Sequence, residues 1–156
     1  MLILEDDIRF AHHDHHGTSR FVTACHKALQ LLPDDAGILY LGISARGERT
    51  YLDDGRDPGA AHDPMNPNIR LYRPSYGYHT HAYAITKEAS QILLDQLPIK
   101  GPIDVWLADN HWFDIPVYCA VIAGEGWELE DGSLEGRNLI EQCRGGMKND
   151  IVHSCR

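Results

Sequence analysis

Leu2-Ile3-Leu4-Glu5-Asp6-Asp7-Ile8-Arg9-Phe10 places a short apolar run directly against three consecutive carboxylates. A run that brief and rich in Leu and Ile reads as a buried parallel strand. Its carboxyl end is where open α/β sheets hold their ligands. Three like charges at one strand end repel each other, and a hard divalent cation with oxygen preference offsets them. A cation held there would suit a phosphate-bearing substrate, because it can neutralise a departing diphosphate.

The chain has 156 residues, enough for one domain with a core, and 43% of them are apolar. Fourteen Lys and Arg stand against 23 Asp and Glu, a formal charge of −9, which argues against nucleic acid or an anionic membrane as the main partner. No apolar stretch is long enough to form a membrane span, and no signal-peptide pattern opens the chain. Cys25, Cys119, Cys143 and Cys155 form no CxxC pair and read as free thiols, with a Cys143–Cys155 disulfide as the alternative.

Working outward, residues 2–6 form the first strand and 11–17 a His-rich loop. Thr18 or Ser19 opens a helix to about Leu32, with Phe21, Val22, Cys25, Leu29 and Leu32 near one face. Gly37 to Ser44 is a second buried strand, and 46–68 is a long polar loop. Order returns at Ile69. From His79 to Ile85 the chain is a strand, with His79, His81, Tyr83 and Ile85 on one face. Thr86 caps a helix to about Leu97, whose stripe is Ala89, Ile92, Leu93 and Leu97. A shorter helix runs from Ile103 to Phe113, a last strand from Ile115 to Ile122, and residues 123–156 are largely irregular. The reading is one α/β domain over 1–156.

Four pieces in this order resemble glycosyltransferase family 25, the lipooligosaccharide and procollagen galactosyltransferases. They are Leu4-Glu5-Asp6-Asp7-Ile8, Ile38-Leu39-Tyr40-Leu41-Gly42, His81-Ala82-Tyr83-Ala84-Ile85-Thr86 with Ala89 and Leu93-Leu94, and Pro102-Ile103-Asp104-Val105-Trp106-Leu107. Leu139-Ile140-Glu141-Gln142 with Asn149-Asp150-Ile151 is a weaker fifth. The resemblance implies a GT-A fold, a Rossmann-like sandwich with a mixed central sheet. It also implies a UDP-sugar donor, Mn²⁺ or Mg²⁺, and galactose as the transferred hexose. Members of the family carry β-α units ahead of the acidic strand, so the resemblance further implies a sheet incomplete on its amino-terminal side.

In an extended strand Glu5 and Asp7 share a face, as in a D-x-D metal motif. With the resemblance, Asp7 is expected as the direct metal ligand, Glu5 as a ligand through water, and Asp6 as a contact to donor hydroxyls. The alternative is a solvated turn whose acids cap the next segment. Asp104 is expected either as a helix cap or, with the resemblance, in a site role, as the general base that deprotonates the acceptor hydroxyl or as an acceptor-binding group, with Asp109 as second candidate. His81 and Tyr83 read either as core residues with satisfied polar tips or as donor contacts, His81 also as a metal contact. Trp106 and Trp112 read as core.

His12-His13-Asp14-His15-His16 reads as a solvated loop, since a structural zinc site needs four closed ligands. Arg46, Arg49, Arg56, Arg70 and Arg73 are solubilising charges or diphosphate contacts. Three functions are therefore in play. The first is an inverting hexosyltransferase acting on a glycan or hydroxylysine-type acceptor. The second is a truncated, non-catalytic GT-A-like binding module, and the third a His-rich metal-binding protein.

Overall fold

The computed structural model describes residues 1–6, 8–10, 17–52, 66–123 and 137–142. The strands are β1 (Leu2–Leu4), β2 (Ile8–Phe10), β3 (Ile38–Tyr51), β4 (Ile69–Ile85), β5 (Val117–Ile122), β6 (Arg137–Asn138) and β7 (Ile140–Gln142). The α-helices among the described residues are α1 (Gly17–Leu31), α2 (Lys87–Asp95) and α3 (Ile103–Asp109).

A mixed five-stranded sheet has the order β1-β4-β3-β5-β6, and β4 also pairs with β5. Only β3 and β5 pair in parallel; the other pairs of this sheet are antiparallel. Because β4 runs opposite to both β1 and β3, the strands β1, β3 and β5 point the same way. A separate antiparallel pair, β2 with β7, brings the start of the chain to its late segment.

The opening run is thus an edge strand, antiparallel to β4, and not a buried parallel one. With a neighbour on one side only, Leu2 and Leu4 stay 50% and 45% exposed. Periodicity carries no information in three residues, and the partner of β1 lies some eighty residues downstream. Within the late segment read as largely irregular, the described residues 137–142 carry β6 and β7. Leu139 and Ile140 are buried, and Asn138 Nδ2 donates to the Ile43 carbonyl at 2.8 Å.

Two apolar layers clamp the sheet. On one face α2, α3 and the turn at His111–Asp114 set Ala89, Trp106, Leu107 and Trp112 against Ile38, Tyr40, Tyr72, Ile85 and Val121. On the other, Ala24 and Ala28 of α1 pack with Leu39, Leu41, Leu71, Tyr118 and Ile140. Burying one large apolar side chain stabilises a fold by about 1.5–3 kcal/mol. Phe21, Cys25 and Leu32 of the expected stripe pack against the same layer, whereas Val22 and Leu29 are exposed.

Thr86 caps α2 as expected, its hydroxyl accepting from the Ala89 N–H at 3.1 Å. Ile92 and Leu97 of the expected stripe are exposed, leaving Ala89 and Leu93 to make the contact. The predicted loop at 46–68 shortens, because β3 continues to Tyr51 and pairs with β4 along its length. The helix expected to reach Phe113 ends at Asp109. A single turn, His111–Asp114, follows with every φ positive, between 47° and 61°. Trp112 anchors this turn by its burial and by donating from Nε1 to the Tyr40 hydroxyl at 3.3 Å.

Candidate functional site

Glu5 directly follows β1, at the carboxyl end of that strand, and its backbone N–H bonds the His81 carbonyl at 3.0 Å. That bond extends the β1–β4 ladder by one step and turns the Glu5 side chain toward His81, whose Nδ1 donates to Glu5 Oε2 at 3.3 Å. A carboxylate only accepts, so the contact places a proton on Nδ1. His81 is buried, whereas Glu5 is half-buried. Tyr83, two residues along β4, has its hydroxyl pKa pushed up by burial and by the charge of Glu5.

His81 stacks on His79, with ring centroids 5.6 Å apart and planes 12° from parallel. His79 has a left-handed backbone, φ 56°, inside an otherwise extended strand. An L-residue there costs roughly 1–2 kcal/mol. Its N–H donates to Asp104 Oδ2 at 2.9 Å, and its ring Nδ1 lies 3.1 Å from the Ser44 hydroxyl. Asp104 sits in the first turn of α3, where Pro102 and not Asp104 occupies the cap position. Its second oxygen accepts from the Val105 N–H at 2.9 Å. Burial pushes the Asp104 carboxyl up, but the backbone N–H groups of His79 and Val105 and the charge of His79 outweigh it, so the net shift is downward.

Glu5, His81, Tyr83 and Asp104 are therefore linked through one stretch of β4. His79 and Ser44 complete the set. His79 had appeared in the sequence only as one member of an alternating face, and nothing local announces its left-handed φ. Asp6 is exposed in the turn after Glu5. Asp7, the expected metal ligand, lies outside the described residues, as do His12, His13, Asp14, His15 and His16.

Among the described residues no group of three His, Cys, Asp or Glu side chains forms a ready metal site. The pair present is Glu5 with His81. Carboxylate to imidazole is the arrangement that orients a histidine ligand from behind.

Asp109, the second base candidate, closes the other end of α3, where its Oδ1 accepts from the Tyr76 hydroxyl at 2.5 Å. Trp106 and Trp112 are core, as expected. Of the five arginines, Arg49 lies over the Tyr72 ring, Arg70 over Tyr51, and Arg73 over Tyr118, all along the outer part of the β3–β4 ladder. Arg73 also donates to the Tyr118 hydroxyl and pairs with Asp35 at 3.3 Å. Arg46 is exposed, and Arg56 falls outside the described residues. Burial raises the Cys25 thiol pKa to about 11 and the Cys119 thiol pKa to about 12. Cys143 and Cys155 lie outside the described residues.

Among the described residues no helix is long and apolar enough to cross a membrane. Compared with protein-family models, with curated proteins and with solved structures, the chain matches none.

Proposed function

We propose that the chain is a metal-dependent inverting glycosyltransferase of GT-A type. It would transfer a hexose, galactose by its resemblance to glycosyltransferase family 25, from a UDP-sugar to a glycan or hydroxylysine-type acceptor. One observation carries the reading: the acidic end of β1 and Asp104 of α3 reach two residues of β4 whose rings stack on each other, through the Glu5–His81 contact and the His79–Asp104 bond. The carboxyl end of β1 is where an open α/β sheet holds its ligand.

In this reading the acceptor oxygen attacks the anomeric carbon as the bond from that carbon to the diphosphate breaks. The leaving UDP carries away the bonding electrons, and the acceptor proton passes to Asp104. Asp104 is oriented before substrate arrives, because both of its oxygens are held by backbone donors. Asp6, His81 and Tyr83 contact the donor. A Mn²⁺ or Mg²⁺ held by Asp7, with Glu5 through water, would supply charge neutralisation for the departing diphosphate.

One observation favours a second reading, a non-catalytic GT-A-like binding module. The downward shift of the Asp104 carboxyl weakens it as a base. Titration of UDP with and without Mn²⁺, followed by thermal unfolding, separates the two. A ligand that binds only the folded chain adds about 2.7 kcal/mol at a hundred times its dissociation constant. Mn²⁺-dependent stabilisation by UDP is the expected result. Intact folding with no UDP effect at any metal concentration removes the transferase reading and leaves the binding module.

A further inference from the structure

We propose that β4 and α3 together form a saccharide-acceptor subsite, with Tyr76, Tyr78 and His79 as its stacking surface and Asp104 and Asp109 as its hydroxyl-binding groups. The inference rests on the transferase reading and deepens it, choosing a sugar over a peptide as the acceptor.

Ring contacts run without a break along β4. Tyr76 meets Tyr78 edge-on at 4.9 Å, Tyr78 meets His79 at 6.3 Å, and His79 stacks on His81 at 5.6 Å. Successive side chains of a regular strand point to opposite faces. The left-handed His79 breaks that alternation, and so two neighbouring rings, Tyr78 and His79, come into contact. Tyr76 and Tyr78 are half-buried and His79 is exposed, so the row remains partly open to solvent. Alongside it, α3 offers one carboxylate at each end. Asp104 is bonded to the His79 N–H and Asp109 to the Tyr76 hydroxyl. A carboxylate has about four acceptor positions, and the Tyr76 hydroxyl uses one of those on Asp109.

Aromatic faces beside carboxylates match a pyranose: its apolar C–H face covers a ring while its hydroxyls donate to the acids. A proline-rich collagen-type chain fits less well. It too can lie on aromatic rings, but it presents mainly carbonyl acceptors, and the two carboxylates that flank the rings only accept. The Tyr76 hydroxyl, which could have donated to such a carbonyl, is turned to Asp109. The formal charge of −9 likewise favours a neutral polyol over an anionic ligand.

The test is calorimetric titration of the full chain, without UDP or metal, using lactose, cellobiose and a hydroxylysine-containing collagen-type peptide as probes. A disaccharide should bind saturably in the millimolar range. Tyr78→Ala should weaken it about fivefold or more, and Tyr78→Phe should retain it. Asp109→Asn should weaken binding about two- to fivefold. Thermal unfolding of each variant keeps loss of fold apart from loss of binding. Absence of saturable disaccharide binding up to about 50 mM, indifference to Tyr78→Ala in a folded variant, or binding of the peptide alone would each overturn the subsite. Because neither UDP nor metal is present, the result is independent of the donor titration. A chain that binds UDP with Mn²⁺ but no disaccharide loses the subsite alone; the converse loses the transfer reaction.

Discussion

The His79 N–H donates to Asp104 Oδ2 at 2.9 Å, and it does so from a left-handed backbone with φ 56°. Strand and helix are joined there by a main-chain donor, so this link depends on the conformation of residue 79 and not on its side chain. Glycine adopts it without steric cost but loses more entropy on folding, whereas a β-branched residue fits it worst. His79→Gly should therefore change stability by no more than about 1 kcal/mol, and His79→Val should cost about 1–3 kcal/mol. Urea unfolding measures both. Equal stability of the two variants would remove the claim that backbone geometry holds Asp104.

Asp104 itself makes a pH prediction. Its folded-state carboxyl lies below the ordinary value. Such a group stabilises the fold above its unfolded pKa, about 4, and loses that contribution as pH falls through its folded pKa. Asp104→Asn should accordingly lower stability at pH 6 relative to wild type, with the gap narrowing below about pH 4. Unfolding midpoints collected from pH 6 to pH 2 check this. A gap that stays constant over the range would contradict it.

Two glycines on neighbouring strands should respond differently to alanine. A Cβ at Gly42 would sit 2.6 Å from the backbone carbonyl oxygen of Ile140, and main chain cannot step aside cheaply. A Cβ at Gly77 would meet Ile43 Cδ1 at 2.5 Å, the far end of a side chain that can rotate. Gly42→Ala should cost about 1–3 kcal/mol and loosen the packing of β7. Gly77→Ala should cost less, and the order of the two midpoints is the measurement.

Tyr118 is buried, yet its hydroxyl reaches Asp35 at 3.0 Å and receives Arg73. Tyr118→Phe should lose about 1 kcal/mol, since it leaves the packing intact and removes the shared hydroxyl. Asp35→Asn should lose less, because the Arg73–Asp35 pair is about half exposed on both sides, at 52% and 56%. A larger loss from Asp35→Asn would mean that the ion pair, and not the hydroxyl, ties the end of α1 to the sheet.

What could be read from the chain follows the range of the signals. Thr86 and Ala89 lie three residues apart, and the cap of α2 emerged as expected, whereas its packed face kept only Ala89 and Leu93 of the four residues read for it. The alternation of β4 from His81 to Ile85 was equally local, with Tyr83 and Ile85 meeting one apolar layer and Ala82 and Ala84 the other. The edge position of β1 was not legible, because it depends on pairing with residues 82–84. Ile140 was hidden for the same reason: its burial depends on Ala28, Leu39 and Leu41, while its own neighbourhood is rich in glycine and charge. In the candidate site, Glu5, His81 and Asp104 could be named from residue type and motif order. His79 could not, since what distinguishes it is a backbone angle that no residue-type preference for histidine encodes.

β4 hydrogen-bonds with β1, β3 and β5, so unzipping any one of those partners leaves it anchored by the others. Amide protons in this strand should be among the last to exchange with deuterium, apart from those near the kink at residue 79. A strand so firmly tethered makes a poor gate.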